Sequence, residues 1–308
     1  MGGTTNNLPS SNLAAFLGDP NFPQIIEQAN QGEKIMRYQN LYKQYSELDL
    51  TNAYDRPVAI DGLQDRILSA LRTNGGFGVF DEGKKRGLLR RSLLWYRGNE
   101  TARLERIVFP PNRAISTVPS WSWMAYTGGV EYISPVFGGS DWEEMESPWS
   151  GVAMPGRGGR HGVRSNPRNV ALVAMARRFD ASRAKDGEKL MRFDDPGEYA
   201  SSGLLDPEVL CVVVGRQKSN SETSLSVQKT ITSVSPRREA RRDNLLNYFV
   251  LVRPRKNHDS EIESTGAGTG GASRPAEPTD DRVYERVGAG YLPERCIREE
   301  DAFMVTIH

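Results

Sequence analysis

Only two cysteines, Cys211 and Cys296, occur in the 308 residues, far apart in sequence. Such a pair is no disulfide framework and suits a reducing compartment. Histidine is nearly as scarce. His161 lies in a Gly/Arg stretch, His258 in a polar stretch and His308 at the last position, so no two share a metal-ligand spacing. Neither a metal site nor a Ser-His or Cys-His nucleophile is therefore expected. No run approaches the about 18 apolar residues of a membrane-spanning helix, and residues 1–6 lack the charged start and apolar core of a signal peptide. A cytoplasmic protein without membrane attachment is expected, in which Asn99-Glu100-Thr101 is an unused glycosylation sequon. An excess of one charge is lacking too. Lys plus Arg number 40 against 39 for Asp plus Glu, which gives no global pull toward nucleic acid.

Hydrophobic residues make up 37%, below the roughly 45–50% of an average globular domain. With 30 Gly and 18 Pro unevenly spread, a core diluted by loop-rich segments is expected. Against that background the densest aromatic signal is Pro119-Ser120-Trp121-Ser122-Trp123-Met124-Ala125-Tyr126, followed by Gly128-Gly129 and Val130-Glu131-Tyr132-Ile133. Two tryptophans two residues apart share one face of a strand, and a Gly-Gly pair between alternating runs reads as a hairpin turn. The pattern predicts Ala125 opposite Tyr132, with Trp121, Trp123 and Tyr132 on one aromatic face.

Residues 1–32 are polar and punctuated by Gly, Asn and Pro, and read as a flexible leader. Over 33–47, Ile35, Tyr38, Leu41, Tyr42 and Tyr45 recur at helical spacing. Asp55 as N-cap and Pro57 just inside predict a second helix, with Val58, Leu63, Ile67 and Leu71 on one face and Asn74-Gly75-Gly76 ending it. Leu88-Leu89 continues a helical pattern, residues 93–96 suit a buried strand, and 104–109 a short strand stopped by Pro110-Pro111. Apolar runs at 170–176, 209–215, 245–253, 283–292 and 303–307 read as further strands. Loop insertions are placed near 138–168, 216–243 and 254–281. The fold class is therefore α+β: an N-terminal helical hairpin packed on a mainly antiparallel β-sheet with long disordered insertions, residues 33–308 forming a single domain.

Four clusters carry candidate chemistry. The glycines of 266–271 lack a preceding strand and a following helix, so a linker reads better than a phosphate loop. Gly288-Ala289-Gly290 lies inside a strand pattern, where glycine marks a bulge or a close backbone approach. Lys84-Lys85-Arg86, Arg90-Arg91, Arg177-Arg178 and the arginines of 237–242 form basic clusters; the last could contact phosphates or serve as a targeting patch, and a solvated insertion is its default reading. Asp141, Glu143, Glu144 and Glu146 flank Trp142, and paired carboxylates serve glycoside hydrolysis while exposed tryptophans stack on sugars. Trp121, Trp123, Trp142 and Trp149 are the candidate platforms of a carbohydrate- or small-ligand-binding module. The acids of 141–146 are the candidate site of a hydrolase.

Five blocks in order carry a family resemblance. Leu41-Tyr42-Lys43-Gln44-Tyr45-Ser46-Glu47-Leu48-Asp49-Leu50-Thr51, Asp55-Arg56-Pro57-Val58-Ala59-Ile60-Asp61-Gly62-Leu63, Leu93-Leu94-Trp95-Tyr96, Pro119-Ser120-Trp121-Ser122-Trp123 and Tyr284-Glu285-Arg286-Val287-Gly288-Ala289-Gly290 resemble the region after the HET domain in fungal heterokaryon-incompatibility proteins. The resemblance spans roughly residues 38–308. The "S-Y-x-W-G" and "W-I-D-x-x-C-I-D-Q" motifs of the HET domain itself do not occur, so the chain looks like the C-terminal portion alone. The resemblance implies a part in non-self recognition and incompatibility-linked cell death. Because the effector domain is the missing one, it carries over no catalytic residue and no cofactor. A non-enzymatic accessory or recognition region with a protein partner, and without nucleic acid or membrane, is the expectation.

Overall fold

The computed structural model describes residues 28–83, 87–111, 118–152, 170–197, 206–219, 245–255 and 282–308. The expected leader thus falls almost wholly outside the described residues, as do 153–168 and most of the other two insertions.

Asn30 opens helix α1 (Gln31–Ser46) with a capping box: its side chain accepts the Glu33 amide at 3.0 Å, and the Glu33 carboxylate accepts the Asn30 amide. Ile35, Tyr38, Leu41, Tyr42 and Tyr45 form its buried face, as their spacing predicts. Helix α2 (Arg56–Leu71) has Pro57 in its first turn. Asp55 occupies the cap position without a side-chain capping bond, and Arg72 in the left-handed conformation (φ 53°) ends the helix. Asn74-Gly75-Gly76 is not the helix terminus but strand β1 (Asn74–Gly76), paired with β2 (Val79–Asp81). The two-residue loop between them, Phe77-Gly78, has positive φ at both positions (53° and 77°), as a type I′ turn requires.

Helix α3 (Gly87–Leu93) takes Leu93 from the predicted strand and leaves β3 (Trp95–Arg97). Of the strand predicted over 104–109, only β4 (Glu105–Arg106) forms. The aromatic hairpin does not form. Trp123-Met124-Ala125 is a 3-10 turn capped by the Ser122 hydroxyl, which accepts the Met124 amide at 3.1 Å. Its two flanks then part: β5 (Tyr126–Thr127) pairs with β4, and β6 (Val130–Tyr132) pairs with β3, so Tyr132 faces Trp95 instead of Ala125. Local serine capping overrides the period-two pattern.

The main sheet has eight strands: β7 (Ser140–Trp142), β8 (Met145–Glu146), β9 (Leu172–Phe179), β10 (Leu190–Phe193), β11 (Leu210–Gln217), β12 (Leu246–Pro254), β13 (Val283–Pro293) and β14 (Ile297–Ile307). All five predicted apolar runs are its long strands. Residues 140–146, expected in a loop excursion, supply β7 and β8, and Arg216-Gln217 belongs to β11. Pairings β9–β11, β11–β12, β12–β13, β13–β14 and β14–β9 close on themselves, and β13–β14 alone in this ring is parallel. Closure removes the long exposed edges that invite aggregation.

Alternation divides the sheet between two cores. Ala174, Val212, Val250 and Val305 face the helices and small ladders, in one cluster with Tyr42, Trp95, Trp121 and Trp123. Cys211, Val213, Phe249 and Leu251 face the opposite cluster with Phe193 and Cys296. Gly288 and Gly290 are sites of close approach, as read from the sequence: a Cβ at either would collide with the backbone carbonyl of Arg192 or Leu190 on β10. The ladder also shifts register between Leu251 and Val252, which leaves Val287 as a bulge in β13.

Candidate functional site

The five sequence blocks meet in one place. Trp123 is fully buried against Tyr42 (centroids 5.1 Å apart) and Tyr45 (6.0 Å), and the Arg56 guanidinium lies 6.0 Å from its ring. Tyr45 closes the helical side by donating to the Arg56 carbonyl at 3.0 Å. The Trp95 indole N–H donates to the Trp121 carbonyl at 2.9 Å, tying the third block to the fourth. The Ser120 hydroxyl oxygen accepts the Arg286 amide at 2.9 Å, which joins the fourth to the fifth. The Arg286 side chain is wholly buried, with its Cζ 3.1 Å from the Trp95 ring centroid. It donates to the Trp95 carbonyl and pairs with Asp194. Burial pulls the Arg286 guanidinium below its ordinary range, and Asp194 works against that pull.

A cavity of about 350 Å³ opens beside this hub, between β4, β5, the end of β10 and β13. Arg286, Asp194, Tyr126 and the bulged Val287 form part of its lining. Burial, with Asp194 nearby, pushes the Tyr126 hydroxyl up to about 12. The sequence reading did not single out the Arg286–Asp194 pair. One signal was legible: Arg286 shares strand parity with Tyr284, so it belongs on a buried face where an arginine needs a partner.

The acidic run splits. Asp141 points to Lys218 (3.4 Å), whereas Glu143, Glu144 and Glu146 line a second cleft of about 390 Å³ with Arg90 and Arg177. There Glu143 is bound to Arg216 at 2.6 Å and faces Arg177 at 3.8 Å, while Glu299 binds Arg177 at 3.0 Å and Arg216 at 2.8 Å. The four side chains alternate in charge around a ring. Glu299 reaches it because residues 299–302 bulge out of β14 opposite the single Arg177. Burial works against the charge on Arg216, but Glu143 and Glu299 outweigh it and raise the guanidinium overall. Of the three acids that line the cleft, Glu143 is thus committed to arginines.

Of the basic clusters the structure describes, Arg90, Arg91 and Arg177 are buried and Arg178 is exposed. Arg90 donates to the Glu143 carbonyl at 3.0 Å, and Arg91 to the Pro135 carbonyl at 2.6 Å, both from buried positions. Lys84-Lys85-Arg86, the arginines of 237–242, His161, His258 and the glycines of 266–271 lie outside the described residues. Trp121, Trp123 and Trp149 are buried to 2% exposure or less, which removes them as sugar platforms. Trp142 is half-buried, wedged against Gly87 and Gly215 with the Arg91 guanidinium 5.0 Å from its ring. Both cysteines are free and buried, and burial raises the Cys211 thiol to about 12. Among the described residues no group of three His, Cys, Asp or Glu is placed to hold a metal, and no helix is long and apolar enough to cross a membrane.

No protein-family model matches the chain, nor does any curated protein or solved structure.

Proposed function

We propose that this protein is a non-enzymatic recognition module, an accessory region of the kind that follows the HET domain in fungal heterokaryon-incompatibility proteins, acting through a protein partner in the cytoplasm. The observation that carries the reading is the convergence of all five resembling blocks on one interior network, from Tyr42 and Arg56 through Trp123, Trp121 and Trp95 to Arg286. Blocks that hold a fold together keep their order and residue types for packing reasons, without any reaction to serve. The two free, buried thiols suit a reducing compartment.

Expressing the chain in a fungal host, alone and fused behind a HET domain, tests the proposal. Cell death on hyphal fusion that requires the fused form supports it. Equal death in both forms, or none in either, removes it.

A further inference from the structure

The cavity beside Arg286 is lined by four arginines and four carboxylates. Three pairs close on themselves: Arg103 with Glu105 at 2.6 Å, Arg253 with Glu285 at 2.9 Å, and Arg286 with Asp194. One cation and one anion are left. Arg106 donates to the Tyr126 hydroxyl at 3.4 Å and the Val118 carbonyl at 3.2 Å, and no carboxylate among the described residues lies within ion-pair reach of it. Asp195 accepts the Gly197 amide at 2.8 Å; the Arg103 guanidinium feels its charge but forms its ion pair with Glu105, so Asp195 is in no ion pair among the described residues. Leu104 and Val287 add apolar wall.

With the other charges of the lining taken up in ion pairs, a simple anion meets only Arg106 and a simple cation only Asp195. A molecule with one charge of each sign reaches both groups that lack an ion pair at once through charge-assisted hydrogen bonds. The volume of about 350 Å³ sits at the lower end of the roughly 300–1,000 Å³ typical of small-molecule sites. We propose that this cavity binds a free amino acid, with its carboxylate on Arg106, its ammonium on Asp195 and an aliphatic side chain against Leu104 and Val287.

Titration calorimetry of the full chain with three probes tests the assignment: L-leucine, 4-methylpentanoate, which lacks the amine, and isoamylamine, which lacks the carboxylate. Leucine binds, and each singly charged analogue binds about tenfold more weakly or worse, as expected for loss of one charged hydrogen bond. Arg106→Gln weakens leucine by a similar factor and leaves isoamylamine unchanged. Asp195→Asn weakens leucine and leaves 4-methylpentanoate unchanged. The two variants check each other, and a melting curve like that of the parent shows that each is folded. Absence of leucine binding, equal binding of all three probes, or indifference of leucine to both substitutions overturns the proposal.

Discussion

Arg286 sits over the Trp95 indole, 3.1 Å from the ring centroid, and reaches the Asp194 carboxylate from the same position. A guanidinium with no exposed surface is stable there only because a ring face, a carbonyl and a carboxylate replace its water. Removing one partner of a buried pair strands the other charge. Arg286→Met is therefore expected to destabilise by about 3–5 kcal/mol, and Arg286→Met with Asp194→Leu by much less. Urea unfolding midpoints check this. A single variant costing under about 1 kcal/mol, or a double variant worse than the single, contradicts the role given to the pair.

Trp121 and Trp123 are almost fully buried in the larger core. Truncation of each to alanine leaves a large cavity and is expected to lower stability by about 3–5 kcal/mol. Unchanged melting temperatures in both variants end the core assignment.

Glycine positions separate close approach from open space. Alanine at Gly288 or Gly290 meets the β10 backbone and is expected to cost about 1–3 kcal/mol, with faster hydrogen exchange of the β10 amides. Alanine at Gly62, in the middle of α2 with nothing within 4 Å of its Cβ, is expected to stabilise by about 0.5–1 kcal/mol. Chemical unfolding of the three variants gives the comparison, and like signs at all three refute it.

Buried phenols make the fold sensitive to alkali. Burial raises Tyr126 from 10.0 to about 12, and burial with the Glu131 hydrogen bond does the same for Tyr96. An unfolded phenol ionises first, so the stabilisation is complete below pH 10 and is lost as pH rises from 10 through 12. For Tyr126 the loss is on the order of 3 kcal/mol. Unfolding free energy measured against pH is expected to fall above pH 10, and less steeply in Tyr126→Phe. Phenolate absorbance that appears in full near pH 10 with the fold intact contradicts the assignment.

Helical spacing identified α1 and α2, although Val58, read on the buried face of α2, is exposed, and apolar β-branched runs identified the five long strands, β11 and β12 being buried on both faces. The same reasoning failed at 119–133, where serine capping turned the chain after Trp121. It placed the tight turn at Gly128-Gly129, whereas the paired two-residue turn is Phe77-Gly78, beneath the Trp123 ring. Residues 140–146 read as a loop because strands of two or three residues are too short to show a period. Of the candidate site, the acidic run was legible as residues. Its Arg177 and Glu299 partners were not, since they come from strands joined only by pairing across the sheet.

The amino-acid order alone determined the two long helices, the five long strands and a bulge or close backbone approach at 288–290, because these follow from short-range patterning and backbone freedom. Only the tertiary structure decided that the sheet closes into a ring, that Trp121 and Trp123 point inward, and that Arg286 meets Trp95 and Asp194. Those outcomes depend on contacts between residues far apart in sequence, from Trp123 with Tyr42 to Arg286 with Asp194, which local sequence does not encode.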